Sequence, residues 1–220
     1  MSLTRRVRHG TLAVVVGLGA VACSSSGSNS SEASSRASAP PVPTTAGAPA
    51  SGTGPGSQTP VPVESNPPGD IPDNVAFVPY TNSAAGYSFT HPEGWAQQEN
   101  GSAVTFTDKL NGIAADTAAL PPALDESTVR AQEVPRLTAE QAAFELISVA
   151  PVSLPAGRGV LIVYRRNSAP DPVTGRQVRT EVQEYLVSHG PSAVRLALFG
   201  PVGSDNVDAY HTIAQSLTLR

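Results

Sequence analysis

Every aromatic residue of this chain lies on one side of a boundary. All five Phe, all five Tyr and the single Trp stand at or after Phe77. Before them, residues 24–72 are mostly Ser, Pro, Ala, Gly and Thr, as in SSRASAPPVPTTAGAPASGTGPGSQTPVPVE. Such a stretch cannot bury enough apolar surface to offset the entropy of ordering it, so a disordered tether is expected. As a coil it would reach ~40 Å, and fully extended as polyproline II ~150 Å. Only residues 73–220 carry the material of a core, enough for one domain.

The first 22 residues have the layout of a secretory signal. Arg5, Arg6 and Arg8 form a positive start, and Thr11 to Val21 an apolar run. That run is too short to span a bilayer, which takes ~20 apolar residues. Ala20-Val21-Ala22-Cys23 then resembles a bacterial lipobox, in which cleavage precedes a cysteine that takes acyl chains of the palmitate type. Ala20 departs from the Leu or Val commoner at that position. Cys23 is the only cysteine of the chain. An unpaired thiol in an oxidising compartment is a liability, and lipidation accounts for both its place and its solitude. Several acyl chains on one residue anchor stably where one holds marginally. The expected organisation is therefore a signal peptide over 1–22, lipidated Cys23 and tether over 23–72, and a domain over 73–220. The expected location is the extracytoplasmic face of a cell membrane. The alternative is an ordinary secretory signal with a stray cysteine.

Charge narrows the partners. The chain has 14 basic and 18 acidic residues, and removal of Arg5, Arg6 and Arg8 leaves 11 against 18. A net charge near −7 argues against nucleic acid and anionic lipid surfaces, which call for clustered Lys and Arg.

Within 73–220, strands are expected at 103–107, 159–164 (a central strand) and 193–199, the last with Val194, Leu196 and Leu198 inward. The stretch 177–187 is β-branched, and its alternation slips between Val182 and Tyr185, which suggests a bulge. Residues 144–154 read as a further strand, since Pro151 would end a helix. Hairpin connections are expected at 167–176 and 189–192. A last helix capped by Ser204 or Asp205 would bury Val207, Tyr210, Ile213, Ala214 and Leu217. Another, capped by Ser127 and running to about Val134, would turn Val129 and Val134 inward. The sum is α+β, an antiparallel sheet with helices packed on it.

Gly86-Tyr87-Ser88-Phe89-Thr90-His91-Pro92-Glu93-Gly94-Trp95 resembles the opening motif of PsbP-like domains. The strand over 103–107, the mid-chain helix, the strand over 159–164 and the last helix with Gln215-Ser216-Leu217 follow the same plan. The resemblance implies a central antiparallel sheet sandwiched by helices, α/β/α. It also implies a binding role rather than a reaction, with actinobacterial envelope lipoproteins of the LpqN type similar in layout. Physically, Tyr87 and Phe89 alternate on a strand, Pro92 stops it, Gly94 permits a turn, and Trp95 folds back on the sheet. Core building and an exposed ligand platform are the two roles open to Tyr87 and Trp95.

Catalytic constellations are wanting. No His-x-x-x-His, Glu-x-x-His, cysteine pair, Gly-x-Ser-x-Gly or phosphate-binding glycine loop occurs, so no metal and no cofactor are expected. Asp205, Asp208 and His211 recur every three residues, either as a solvated helix face or as an unorthodox hydrolase site in which Asp208 orients His211. Ala114 to Leu124 (AADTAALPPAL) reads as apolar and proline-broken, a lid over the sheet or the lip of a groove for a lipid tail or partner, with Leu120 and Leu124 its largest side chains. The leading expectation is a non-enzymatic, lipid-anchored domain binding an envelope protein or an apolar or glycolipid ligand at Tyr87, Trp95, Leu120 or Leu124. A hydrolase and a purely structural surface protein are the alternatives.

Overall fold

The computed structural model describes residues 55–65, 67, 69–120 and 124–220. The signal segment, Cys23 and the first part of the expected tether lie outside the described residues. Among the described residues, no helix is long and apolar enough to cross a membrane.

Among the described residues, a 3-10 turn at Pro55–Ser57 is followed by ten strands and two α-helices: β1 Phe77–Asn82, β2 Tyr87–Pro92, β3 Ala96–Asn100, β4 Ala103–Asp108, β5 Asn111–Ala118, α1 Glu126–Glu140, β6 Glu145–Leu154, β7 Gly157–Asn167, β8 Arg179–His189, β9 Ser192–Pro201, α2 Val207–Gln215 and β10 Thr218–Leu219. Seven strands form one antiparallel sheet in the order β3-β4-β5-β9-β8-β7-β6. A smaller antiparallel sheet has the order β1-β2-β10. The α+β class read from the sequence is the observed one.

Strand alternation divides the large sheet into two faces. On the first, Val104, Phe106, Ile113, Tyr185, Val187, Val194, Leu196 and Leu198 meet the small sheet and the α2 side chains Tyr210, Ile213 and Ala214. On the second, Val160, Ile162, Tyr164, Val182 and Leu186 meet Val129 and Leu137 of α1. One helix therefore covers each face, and the small sheet shares the first face with α2.

The slip in 177–187 is not a bulge. β8 pairs in continuous register with both neighbours. Val182, Glu184 and Leu186 point to the second face, Tyr185 and Val187 to the first, and all five are buried. A strand covered on both sides loses its alternation without any extra residue. The bulge lies instead in β6, between Leu146 and Ser148. It lets Leu146 and Val149 both reach the second-face core while Ile147 stays exposed. β6 is an edge strand, which accommodates Pro151. β7 is an interior strand, one place from that edge.

The helix ends differ from expectation. Asp125, not Ser127, caps α1: its Oδ1 accepts from the Thr128 backbone N–H at 2.7 Å. α1 also runs past Val134, through Pro135, to Glu140. The residue preceding α2 is Asn206, whose side chain makes no cap. Its Oδ1 accepts from Ile71 N at 2.8 Å and its Nδ2 donates to Asn111 at 3.0 Å. Val207, expected on the buried stripe, is 68% exposed.

Part of the expected tether lies against the domain. Ala143 N donates to the Pro55 carbonyl at 3.2 Å. Asn167 brackets the passage beyond it, donating to Thr59 O at 2.9 Å and accepting from Val61 N at 3.0 Å. Glu64 pairs with Arg176, Asn111 Nδ2 donates to Gly69 O at 2.5 Å, and Ile71 is buried. The boundary read at residue 72 therefore moves toward residue 55. Composition hid this because the anchors, Asn111, Asn167 and Asn206, are polar and lie far along the chain.

Candidate functional site

The four residues singled out for binding do not converge. Tyr87 is 0% exposed and its hydroxyl donates to Ser102 O at 2.7 Å, with Ala115 O at 3.2 Å. Burial pushes its phenol well above the ordinary range. Tyr87, Phe89, Tyr80 and Phe106 form an aromatic group with ring separations from 5.3 to 6.5 Å, and half-buried Trp95 packs against that first-face core. Gly94, at φ 82°, supplies the turn that returns Trp95 to it. Leu120 is buried and Leu124 half-buried in the other core, on the opposite face. Tyr87 and Leu120 are thus core residues rather than a surface. The stretch 114–124 is not a loop throughout: its first five residues belong to β5, an interior strand.

Asp205, Asp208 and His211 are all exposed. No hydrogen bond joins Asp208 to His211 among the described residues, and the Asp208 carbonyl accepts from Thr212 Oγ1. This is the solvated helix face. No group of three or more His, Cys, Asp or Glu is placed to hold a metal ion among the described residues.

The chemistry gathers on the second face, at a place the sequence reading missed. α1 covers the β6-β7-β8 side and leaves a strip of β4, β5 and β9 half-open. The floor of that strip is made of small side chains, Ala103, Thr105, Ala114 and Ala197, and its wall of Arg136, Leu137 and Gln141. The cavity holds about 260 Å³. It adjoins a second of about 560 Å³ between the β4–β5 turn, the β7–β8 loop and Glu64. Arg166 and Phe199 line both. Because these two side chains belong to both, the cavities meet there as one groove, of the size of small-molecule sites.

A buried ionic cluster forms one side of this groove. Glu184, 2% exposed, accepts from the Tyr164 hydroxyl at 3.1 Å and lies 3.0 Å from Arg195 Nε. Arg195 also reaches Glu133 at 3.0 Å and Asp116 at 3.1 Å. Arg136 pairs with Glu133 at 2.8 Å, Glu140 at 2.5 Å and Glu184 at 3.6 Å. Burial pushes the Glu184 and Asp116 carboxyls up, with the nearby guanidinium groups opposing. Burial also raises the Tyr164 phenol, so it is a hydrogen-bond donor at neutral pH. The signal that could have found Glu184 is a charged residue amid Val182, Tyr185, Leu186 and Val187, and for Arg195 its place within an apolar alternation.

No family model matches the sequence, and neither does any curated protein. Several solved structures are similar in fold. Cyanobacterial PsbP from Synechocystis aligns with 70% of this chain and 100% of its own, at 15% identity and a TM-score of 0.48. A Pseudomonas aeruginosa protein of unknown function, described as a putative regulator, aligns with 66% of this chain and 97% of its own at 12% identity and 0.43. The Saccharomyces cerevisiae Ran-binding protein Mog1p aligns with 66% and 96%, at 6% identity and 0.43. At these scores the neighbours say nothing of the groove, whose reading rests on this chain's own residues.

Proposed function

We propose that this chain is a lipid-anchored envelope protein of the PsbP-like kind, with an actinobacterial layout, whose domain holds an apolar or glycolipid ligand without chemistry. The observation that carries the reading is the groove on the α1 face, floored by alanines and walled by a fixed ionic cluster. A lipid tail fits small apolar side chains, and polar groups at the wall orient a head. A protein partner is the competing occupant, but such an interface wants a broad surface of about 800 Å² per side, whereas this one is recessed. The cluster carboxylates are taken up by arginines, so none is left as a free nucleophile or base.

Two measurements test the proposal. Mass spectrometry of the matured protein from its host reads acylation at Cys23, and organic extraction of the same sample reads bound lipid. Acylated Cys23 with a stoichiometric lipid is expected. A bare thiol removes the anchor. A lipid-free protein that copurifies with a protein partner removes the ligand role.

A further inference from the structure

The cations of the described residues fall into two sets. Six arginines, Arg130, Arg136, Arg165, Arg176, Arg179 and Arg195, have a carboxylate within ion-pair distance. Lys109, Arg158, Arg166 and Arg220 have none among the described residues. Lys109 and Arg166 line the same cavity, the larger half of the groove.

Arg166 stands where the two halves meet. Its guanidinium lies over the Phe199 ring, 5.3 Å from the centroid. Its Nη1 donates to Gln141 Oε1 at 3.0 Å, and its Nε is buried without a hydrogen-bond partner. A cation drawn partly out of water with no counter-charge is costly unless an anion completes it. The acids of the cavity do not serve. Glu64 is held by Arg176. Asp171 accepts from Val173 N, Thr174 N and the Thr174 hydroxyl within its own turn, which holds its carboxyl below the usual range. Lys109, Arg166 and Arg176 against Glu64 and Asp171 leave this cavity at +1, in a chain whose formal net charge is −4.

We infer that Arg166 and Lys109 form a subsite for the single anionic group, carboxylate or phosphate, of an amphiphile whose apolar body lies over Phe199, Ala197 and Ala114. The inference rests on the proposed ligand role of the groove and names the ligand's chemistry. The planar guanidinium matches the fork of either acid. Phe199 offers the guanidinium a cation–π contact at 5.3 Å, and Ala197 lies on the same strand and lines the adjoining half of the groove.

The test uses the full chain carrying Cys23→Ser, so that no acyl chain is added. Calorimetric titrations at low salt compare dodecanoate, dodecyl phosphate, dodecyl glucoside and inorganic phosphate, each below micelle formation. Both anionic amphiphiles are expected to bind about tenfold or more tighter than the glucoside. Arg166→Gln removes that preference, and Lys109→Gln, exposed on the β4–β5 turn at φ 52°, reduces it severalfold. Glucoside binding, which involves no anion, falls far less than binding of the anionic amphiphiles in either variant, and Arg158→Gln changes nothing. Equal affinity for charged and neutral amphiphiles overturns the subsite while leaving the ligand role intact. Inorganic phosphate binding as tightly as dodecyl phosphate overturns the amphiphile in favour of a free anion. Failure of every amphiphile to bind overturns both the subsite and the ligand role.

Discussion

On the first face of the large sheet, the side chains rising from β4, β5, β8 and β9 are Val104, Phe106, Ile113, Tyr185, Val194, Leu196 and Leu198. On the second face, the same four strands present Val182 and Leu186 to α1, and Thr105, Ala114, Asp116, Glu184, Arg195, Ala197 and Phe199 along the groove. One backbone thus supports a closed aromatic core on one side and a charged, half-open groove on the other. The difference arises from side-chain volume. Rings and branched aliphatic side chains pack against the small sheet and α2, whereas alanines and paired ions leave the strip beside α1 half-open. Both faces carry core, but only the second keeps a half-open groove, the place proposed for a ligand.

The largest effects should separate the faces by mechanism. Phe106→Ala opens a cavity in the closed core and is expected to cost about 3–5 kcal/mol in denaturant unfolding. Arg195→Ala leaves Glu184 buried without its nearest cation and takes one of two arginines from Glu133, for a similar loss of about 3–5 kcal/mol. The paired replacement Arg195→Met with Glu184→Leu should recover most of that loss, since a buried ion pair is readily replaced by apolar packing. No comparable rescue exists for Phe106. A first-face loss much smaller than 3 kcal/mol would break the contrast.

A smaller effect is expected at Tyr87→Phe, which strips the donor from Ser102 O and Ala115 O and should cost about 1–3 kcal/mol. Acid–base behaviour sharpens the second face. Burial raises the Glu184 and Asp116 carboxyls in the folded state, while in the unfolded chain carboxyls titrate near ~4. Above that point the folded state retains protons that the unfolded state has released, so stability falls as pH rises through the window between the two values. Thermal unfolding of Glu184→Gln across that window should show a flatter profile than the parent. An unchanged slope would mean that Glu184 is not the group responsible.

The smallest stability effect belongs to the groove floor. Ala197→Leu, at a half-open position, should change unfolding free energy by less than about 0.5 kcal/mol and yet occlude the site.

The elements of the fold were legible where periodicity was clean. β4, β7 and β9 follow from alternation or apolar runs, whereas the Tyr87–Trp95 motif left core and platform roles open until the burial of Tyr87 decided for the core. Legibility ended where two distant segments meet. The slip in β8 looked like a bulge because sequence alone does not tell a strand buried on both faces from one with an inserted residue. Ser127 and Asp125 are both good caps, and only backbone geometry separates them. Residues 55–72 have the composition of a free spacer, yet three asparagines distant in sequence fasten them to the domain. The site was the least legible part. Glu184, Arg195, Arg136, Glu133 and Asp116 come from three strands and a helix, so no spacing along the chain unites them. Arg166 and Phe199 meet only because β7 and β9 flank β8 at the same end.

Amide-shift mapping of the full Cys23→Ser chain with octyl glucoside, below its micelle threshold, addresses the groove most directly. Shifts concentrated on Thr105, Ala114, Arg166, Ala197 and Phe199, and abolished by Ala197→Leu, are the expected result. Shifts gathered instead around β1, β2 and α2, or no saturable shifts at all, would contradict the assignment of the second face as the binding face.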